Sequence, residues 1–183
     1  MKKTILTFGL ISGAVSALMM AVTVPFAHKI GFNQSLVLGY TTIVLSFLLV
    51  YFGIRSYRDN AGNGQITFAK AFAVGICITL ISCVCYVVAW EIIYYNFMPN
   101  FMDEYGARMV EKAKAAGASA AAIQAQIEQA KRYKELYANP LTNAAMTFIE
   151  PFPVGLVITL ISAAVLRKKP RSQAAQSASG ATY

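Results

Sequence analysis

The stretch Thr147–Ser162, TFIEPFPVGLVITLIS, decides the fold because most of it occurs a second time, earlier in the chain. The earlier copy is Thr67–Ser82, TFAKAFAVGICITLIS, and the offset between the two copies is 80 residues throughout. Ten of the sixteen positions are identical, and each copy lies in an apolar run long enough to cross a bilayer, which needs about 20 residues. We therefore interpret both copies as membrane helices.

The composition extends this interpretation to the whole chain. Of the 183 residues, 57% are hydrophobic and 13% are charged, which is more apolar than a soluble core of this size needs. No run shows the alternation with a period of two that is typical of a membrane barrel strand. The sequence predicts an all-α integral membrane four-helix bundle, with helices at about 4–27, 36–54, 70–95 and 141–166.

Residues 99–140 are polar, rich in alanine and glutamine, and carry charges of both signs. We expect two helices there, one from Asp103 to Ala116 and one from Ser119, as its N-cap, to Tyr137, with a break at Gly117. This segment is predicted to be an extramembrane helical hairpin between the third and fourth transmembrane helices. Residues 1–168 then form one domain, and residues 169–183, small and polar, a disordered cytoplasmic tail.

The basic residues predict the orientation, because lysine and arginine accumulate in the short loops on the cytoplasmic side. One face of the predicted bundle holds nine basic residues and one acid, whereas the face with the hairpin holds seven of each. We expect a multi-pass membrane protein with both termini cytoplasmic and the hairpin outside. Lys2 and Lys3 also resemble the start of a signal peptide, but the apolar run continues through Val24, too long for one. Membrane orientation thus explains the excess of basic residues. The expected partner is the lipid bilayer, and the charge gives no reason to invoke nucleic acid.

Each predicted membrane helix carries a stripe of small residues at spacings that place them on one face. We predict that the four stripes converge and pack; a polar lining for a pore is the alternative. The stripes consist of Gly9, Gly13 and Ser16; Gly39, Thr42 and Ser46; Gly75, Thr79 and Ser82; and Gly155, Thr159 and Ser162.

The two copies of the repeat enter the membrane from opposite sides, so a pseudo-two-fold axis in the membrane plane could relate them. Inverted repeats occur in many secondary transporters. The copies differ where Lys70 corresponds to Glu150, and where Ala73 corresponds to Pro153. Because Pro153 cannot donate its backbone hydrogen bond, we expect a kink or a restart of the fourth helix there.

Glu91 and Glu150 are the candidate functional residues, together with Trp90 and Tyr94 beside Glu91. Ionisable residues at membrane depth mark functional sites by default, and both carboxylates are predicted near the outer face. The alternative is structural: each carboxylate lies at the headgroup level and orients its helix through a hydrogen bond to Tyr94, Tyr95, Asn143 or Thr147.

Catalytic and metal-binding signals are missing from the sequence. It contains no HExxH, GxSxG, Walker A or GxGxxG string, and only one histidine. Cys77, Cys83 and Cys85 lie inside the third apolar run, and Cys83 and Cys85 have a spacing that suits neither a disulfide nor a shared metal. We predict no cofactor, no metal and no enzymatic activity.

Five short strings resemble a family of bacterial membrane proteins, domain of unknown function 4199. The resemblance runs from about Thr4 to Lys168 and implies a four-helix protein of the bacterial inner membrane. It implies no catalytic or binding residues. The strings are Arg55–Asp59 (RSYRD), Trp90–Ile92 (WEI), Gly117–Ser119 (GAS), Asn139–Leu141 (NPL) and Glu150–Gly155 (EPFPVG).

The features together favour a small membrane scaffold or accessory subunit, which predicts a homo-oligomer or a complex with a membrane partner protein. A small transporter, or a protein that handles lipids or ions through Glu91 and Glu150, is the alternative, and it predicts a polar cavity open to one side. A membrane enzyme is the least favoured class, because paired acids alone are weak support for acid–base catalysis.

Overall fold

The computed structural model describes residues 1–23 and 32–168 of the chain. The predicted end of the first membrane helix near Ala27 and the predicted tail, residues 169–183, lie outside the described residues. Within the described ranges the chain forms seven α-helices, numbered here in chain order: α1 Lys2–Thr23, α2 Phe32–Ala61, α3 Phe68–Phe97, α4 Phe101–Ala115, α5 Ala120–Ala138, α6 Pro140–Ile149 and α7 Phe152–Leu166.

The class predicted from the sequence, an all-α bundle with four apolar helices, is confirmed. Four helical segments are long and apolar enough to cross a membrane, namely Lys2–Thr23, Val37–Ala61, Phe68–Phe97 and Pro140–Leu166. The second helix is longer than the predicted 36–54, because it continues through the polar residues that follow the apolar run. In that extension Arg58 Nε lies 2.7 Å from Asp59 Oδ1, so the two charges neutralise each other at the helix end.

Helix α3 is the centre of the bundle and packs against α1, α2, α6 and α7. Large apolar side chains fill the space between α2 and α3, and the most deeply buried of them are Val50, Ile54, Val74 and Ile78. The opposite surfaces of the same helices expose leucine, valine and isoleucine, as expected of helices surrounded by lipid.

Helices α4 and α5 form the hairpin, with bounds within two residues of the predicted ones. Gly117 ends the first helix with φ of +72°, a conformation that a residue with a Cβ adopts at a cost. The Ser119 hydroxyl then accepts a hydrogen bond from the Ala122 N–H at 3.3 Å and starts the second helix. The helices approach closely where Gly106 faces Ala130, because a Cβ at position 106 would lie 2.9 Å from the Ala130 Cβ.

The fourth membrane segment is interrupted, as the prolines predict. Helix α6 ends at Ile149 and α7 begins at Phe152, with Glu150 and Pro151 between them. Pro151 and Pro153 lack the N–H groups that would donate to the carbonyls of Thr147 and Ile149 in a continuous helix. The interruption therefore leaves two carbonyl groups without their helical donors.

A short backbone pairing closes one end of the bundle. The Ile66 N–H donates to the Lys168 carbonyl at 3.1 Å, and the Lys168 N–H donates to the Ile66 carbonyl at 2.9 Å. This pairing joins the turn between α2 and α3 to the end of α7. We call this end, with Lys70 and Lys168, the basic end, and the opposite one, which carries α4 and α5, the hairpin end.

Small residues bring α1 against α3. A Cβ at Gly9 would lie 2.9 Å from the Ile81 Cβ, and a Cβ at Gly13 would overlap the Cβ of Cys85. Between them Ser12, a residue that the predicted stripe omitted, donates to the Ser46 carbonyl at 2.8 Å. Ser12 Oγ also lies 2.9 Å from the Ser82 hydroxyl, so one buried serine connects three helices.

The two copies of the repeat pack against each other reciprocally. The hydroxyls of Thr79 and Thr159, which correspond in the repeat, are 3.0 Å apart and buried. A Cβ at Gly75 would lie 2.8 Å from Thr159 Cγ2, and a Cβ at Gly155 would lie 2.5 Å from Thr79 Cγ2. Each glycine thus accommodates the threonine of the other copy, which is the arrangement that a local two-fold axis between antiparallel helices produces.

Gly39 does not follow the packing prediction. No described atom lies within 4 Å of a Cβ built at this position. The buried part of α2 begins at Thr42 and Ile43, one turn further along the helix, so Gly39 lies beyond the packed segment. The described residues therefore show no close helix contact at Gly39.

Candidate functional site

A buried amide connects α3 to α6 near the hairpin end. Asn143 is fully buried, and its Oδ1 accepts hydrogen bonds from Trp90 Nε1 at 2.9 Å and from the Thr147 hydroxyl at 3.2 Å. Asn143 Nδ2 is buried without a hydrogen-bond partner among the described residues. Trp90, one of the predicted site residues, therefore fixes the register of α3 against α6 through a polar contact inside an apolar interface.

Glu150 lies at the interruption between α6 and α7, one turn of α3 further into the bundle than Trp90. The hydroxyl of Tyr86, four residues before Trp90, donates to Glu150 Oε2 at 3.4 Å. The Glu150 side chain is exposed, and no lysine or arginine in the described ranges forms an ion pair with it. The predicted carboxylate is thus accessible and lacks a basic counterpart there.

Tyr94 lies at the centre of an aromatic cluster that connects the bundle to the hairpin. Its ring centroid is 5.7 Å from that of Trp90, 6.3 Å from Phe101 and 6.1 Å from Tyr137. The Tyr95 hydroxyl adds a hydrogen bond to the Tyr137 carbonyl at 3.2 Å. Tyr94 therefore has a packing role: it joins α3 to the start of α4 and the end of α5.

Two tyrosines of the hairpin are partly buried. Burial raises the pKa of the Tyr137 phenol above its ordinary value, and the negative charge of Glu150 raises it further. Burial also raises the pKa of Tyr105, with smaller contributions from Tyr133 and Glu150. Tyr105 and Tyr137 consequently stay neutral phenols at physiological pH.

Glu91 is not part of this arrangement. Because consecutive residues of a helix are about 100° apart, Glu91 points away from the face on which Trp90 meets α6. Its Oε1 is buried without a hydrogen-bond partner in the described part of the chain, and no described contact joins it to Glu150. Among the described residues, no contact brings the two predicted carboxylates together as a pair.

The expected hydrogen-bond partners of the carboxylates also differ. Asn143 and Thr147 bond to each other, and the phenol that reaches Glu150 is Tyr86. The sequence contains a signal for this arrangement that the prediction did not use. Tyr86 and Trp90 are four residues apart, so they share a face of α3, and both meet the fourth segment, Trp90 at Asn143 and Tyr86 at Glu150.

Metal and thiol chemistry find little support in the described residues. These contain no group of three or more histidine, cysteine, aspartate or glutamate side chains placed to hold a metal ion. Cys77, Cys83 and Cys85 are free thiols packed along α3. The chemistry that the site offers is that of one exposed carboxylate beside the phenol of Tyr86.

The fold and the site define a class, that of helical membrane proteins with four apolar helices and a polar hairpin between the third and the fourth. Comparison with protein families is consistent with this class. The chain belongs to the family described as protein of unknown function DUF4199, which matches residues 7–168. No curated protein and no solved structure matches the chain.

Proposed function

We propose that the protein is a non-enzymatic membrane scaffold that dimerises through its hairpin. The observation that carries this proposal is an open groove of about 440 Å³ along the hairpin, between α4 and α5. Small apolar side chains form its floor, with Val110 and Ile127 as the largest of those only half buried. Helical hairpins commonly pack such a face against a second hairpin to form a four-helix unit.

The charges along the groove favour a second copy of this chain as the occupant. The α4 side carries Asp103, Glu111 and Lys114, so it is acidic on balance, whereas the α5 side carries Lys131 and Lys134. In a dimer with two-fold symmetry the acidic side of each hairpin meets the basic side of its partner, so one surface complements itself. The internal contact between Lys134 Nζ and Asp103 Oδ1, at 2.6 Å, is exposed, and exposed ion pairs exchange partners at little cost.

Close contacts between the helices of the bundle support the hairpin. Two pairs of buried hydroxyls join the bundle helices, Ser12 with Ser82 and Thr79 with Thr159, and glycines allow the helices to approach closely. Because side chains fill the space between these helices, we favour a structural role over conduction along the bundle axis. The hairpin is attached to the bundle through the contacts of Tyr94 and Tyr95 with Tyr137.

Val110→Glu should convert the dimer to a monomer, because it places a charge on the apolar floor of the groove. Native mass spectrometry of the protein released from a mild detergent measures the stoichiometry. Ala121→Glu is the matched control: it adds the same charge to an exposed position of the same hairpin outside the groove, and the dimer should persist. A monomeric wild-type protein, a different bound chain, or a dimer that survives Val110→Glu would contradict the proposal.

The proposed setting is the bacterial inner membrane, with the basic end and both termini in the cytoplasm and the hairpin outside. The charge distribution supports this orientation, because lysines and arginines concentrate at the basic end. The pairing of Ile66 with Lys168 at that end joins the turn between α2 and α3 to the segment after α7.

Cysteine labelling tests the orientation. In a background without Cys77, Cys83 and Cys85, we expect Ala121→Cys to react with an impermeant maleimide in intact spheroplasts. Gln65→Cys, which is exposed in the turn at the basic end, should react only after the membrane is permeabilised. The opposite pattern of labelling would reverse the topology.

A further inference from the structure

The basic end collects positive charge from four segments of the chain. Helix α1 begins there, because it runs parallel to α3, with Gly9 against Ile81 and Gly13 against Cys85. Among the described residues, seven lysines and arginines lie at this end, and Asp59 is the only acid there. The seven are Lys2, Lys3, Arg55, Arg58, Lys70, Arg167 and Lys168, and all but Arg58 are exposed.

Backbone contacts hold three of these segments together. The N–H groups of Gly62 and Gly64 donate to the Arg58 carbonyl at 3.1 Å and 3.0 Å, so the turn after α2 is closed onto the end of that helix. The mutual pairing of Ile66 and Lys168 attaches the segment after α7 to the same turn. The cations at the end of α2, at the start of α3 and after α7 are therefore held at one surface of the bundle.

Most of this charge has no acidic partner in the described part of the chain. Asp59 Oδ1 lies 2.7 Å from Arg58 Nε, and Asp59 Oδ2 lies 3.7 Å from Arg55 Nε, so two arginines share the one carboxylate. Lys70 lies over the ring of Tyr57, with Nζ 5.9 Å from the ring centroid. No ion pair joins the other cations of this end to a described residue. An anion from outside the chain can therefore neutralise them.

Exposed apolar side chains lie next to these cations, on the side towards the centre of the bundle. Phe52, three residues before Arg55 on the same face of α2, is 49% exposed, and Val165, three residues before Lys168, is 67% exposed. Three residues of a helix span about 5 Å, so the surface changes from apolar to cationic over that distance. A phospholipid has the same change from acyl chain to headgroup, whereas a soluble anion or a nucleic acid offers nothing to the apolar part.

We propose that the basic end selectively binds anionic phospholipids, with Lys70 and Lys168 among the residues that attract the headgroup. Clusters of basic residues at the ends of membrane helices attract anionic headgroups. A zwitterionic headgroup carries an ammonium group of its own, which these cations repel, so a lipid with net negative charge is preferred. This surface is independent of the proposed hairpin dimer, because it lies at the opposite end of the bundle.

Native mass spectrometry with defined lipids tests this surface. The wild-type protein, incubated with equal amounts of phosphatidylglycerol and phosphatidylethanolamine in mild detergent, should retain phosphatidylglycerol preferentially. Lys70→Gln combined with Lys168→Gln removes two exposed cations, each of which contributes several-fold, so the preference should fall about tenfold. Lys112→Gln combined with Arg132→Gln is the matched control: it removes two exposed cations of the hairpin, outside the groove, and should leave the preference unchanged.

A second pair of substitutions keeps the test decisive if the first variant does not fold. Lys2→Gln combined with Lys3→Gln removes two exposed cations from the start of α1, and it should lower the same preference several-fold. A wild-type protein without preference, or a folded basic-end variant with the preference unchanged, would overturn the proposal. An equal loss in the hairpin control would also overturn it, because the preference would then follow the net charge of the whole protein.

Inorganic phosphate at millimolar concentration separates the two sources of a phosphate group. The bound phosphatidylglycerol should persist, because its acyl chains contact the apolar side chains beside the cations. Displacement of the lipid by phosphate would assign the surface to a soluble anion and contradict the recognition of a lipid.

Discussion

Gly13→Leu should lower the thermal stability of the protein more than any other single substitution in the small-residue stripes. The Cβ of residue 13 would overlap the Cβ of Cys85, which is fixed to the backbone of α3 and cannot move aside. The overlap can be relieved only if α1 and α3 separate, and that separation also strains the contact of Ser12 with Ser82. Overpacking of this kind destabilises by roughly 1–3 kcal/mol, and at a helix crossing the upper part of that range applies.

Gly39→Leu provides the matched control for this experiment. The change is identical, in a membrane helix of the same bundle, but no described atom lies within 4 Å of the new Cβ. We expect its midpoint of thermal unfolding, measured by the loss of monodisperse protein in detergent, to stay near that of the wild type. Equal losses for both variants would mean that the α1–α3 crossing is not the tight contact described here.

Trp90→Ala should detach the hairpin from the bundle. It removes the hydrogen bond to Asn143 Oδ1 and the ring contacts with Tyr94 and Phe101, whose centroids lie 5.7 Å and 5.1 Å from that of Trp90. Loss of one hydrogen bond to a buried amide and of two aromatic pairs destabilises by on the order of 2 kcal/mol or more. Hydrogen exchange should accelerate in α4 and α6, with little change in α7.

Phe97→Ala is the control for Trp90→Ala, because Phe97 is an aromatic residue of the same helix that is 76% exposed. Its removal should leave the exchange of α4 and α6 unaltered. If Trp90→Ala also left that exchange unaltered, the hairpin would be held by other contacts, such as the one between Tyr95 and Tyr137.

The parts of the fold that depend on local chemistry could be predicted from the sequence. The hairpin helices follow from Gly117 and Ser119, and the interruption of the fourth segment follows from its prolines. The contact of Thr79 with Thr159 follows from the repeat combined with small-residue packing. Each of these features depends either on a few neighbouring residues or on the repeated sequence.

The candidate site could be predicted only in part, because its geometry depends on how helices rotate against each other. Hydropathy places Glu91 and Glu150 at one end of the bundle, but the rotation of α3 turns Trp90 towards α6 and Glu91 away from it. The burial of Asn143 likewise results from the approach of α6, which no property of the residue itself indicates. Gly39 fits the stripe pattern, yet the described neighbours of α2 do not extend to it.

The pairing of Thr79 with Thr159 also has a consequence for synthesis. The two hydroxyls are 80 residues apart in the chain, and a ribosome that adds about 5–20 residues per second needs roughly 4–16 s to deliver the second after the first. Until then Thr79 satisfies its hydroxyl within its own helix, by donating to a carbonyl one turn earlier. Insertion of the fourth segment therefore gives Thr79 a hydroxyl partner in another helix, with either threonine as the donor.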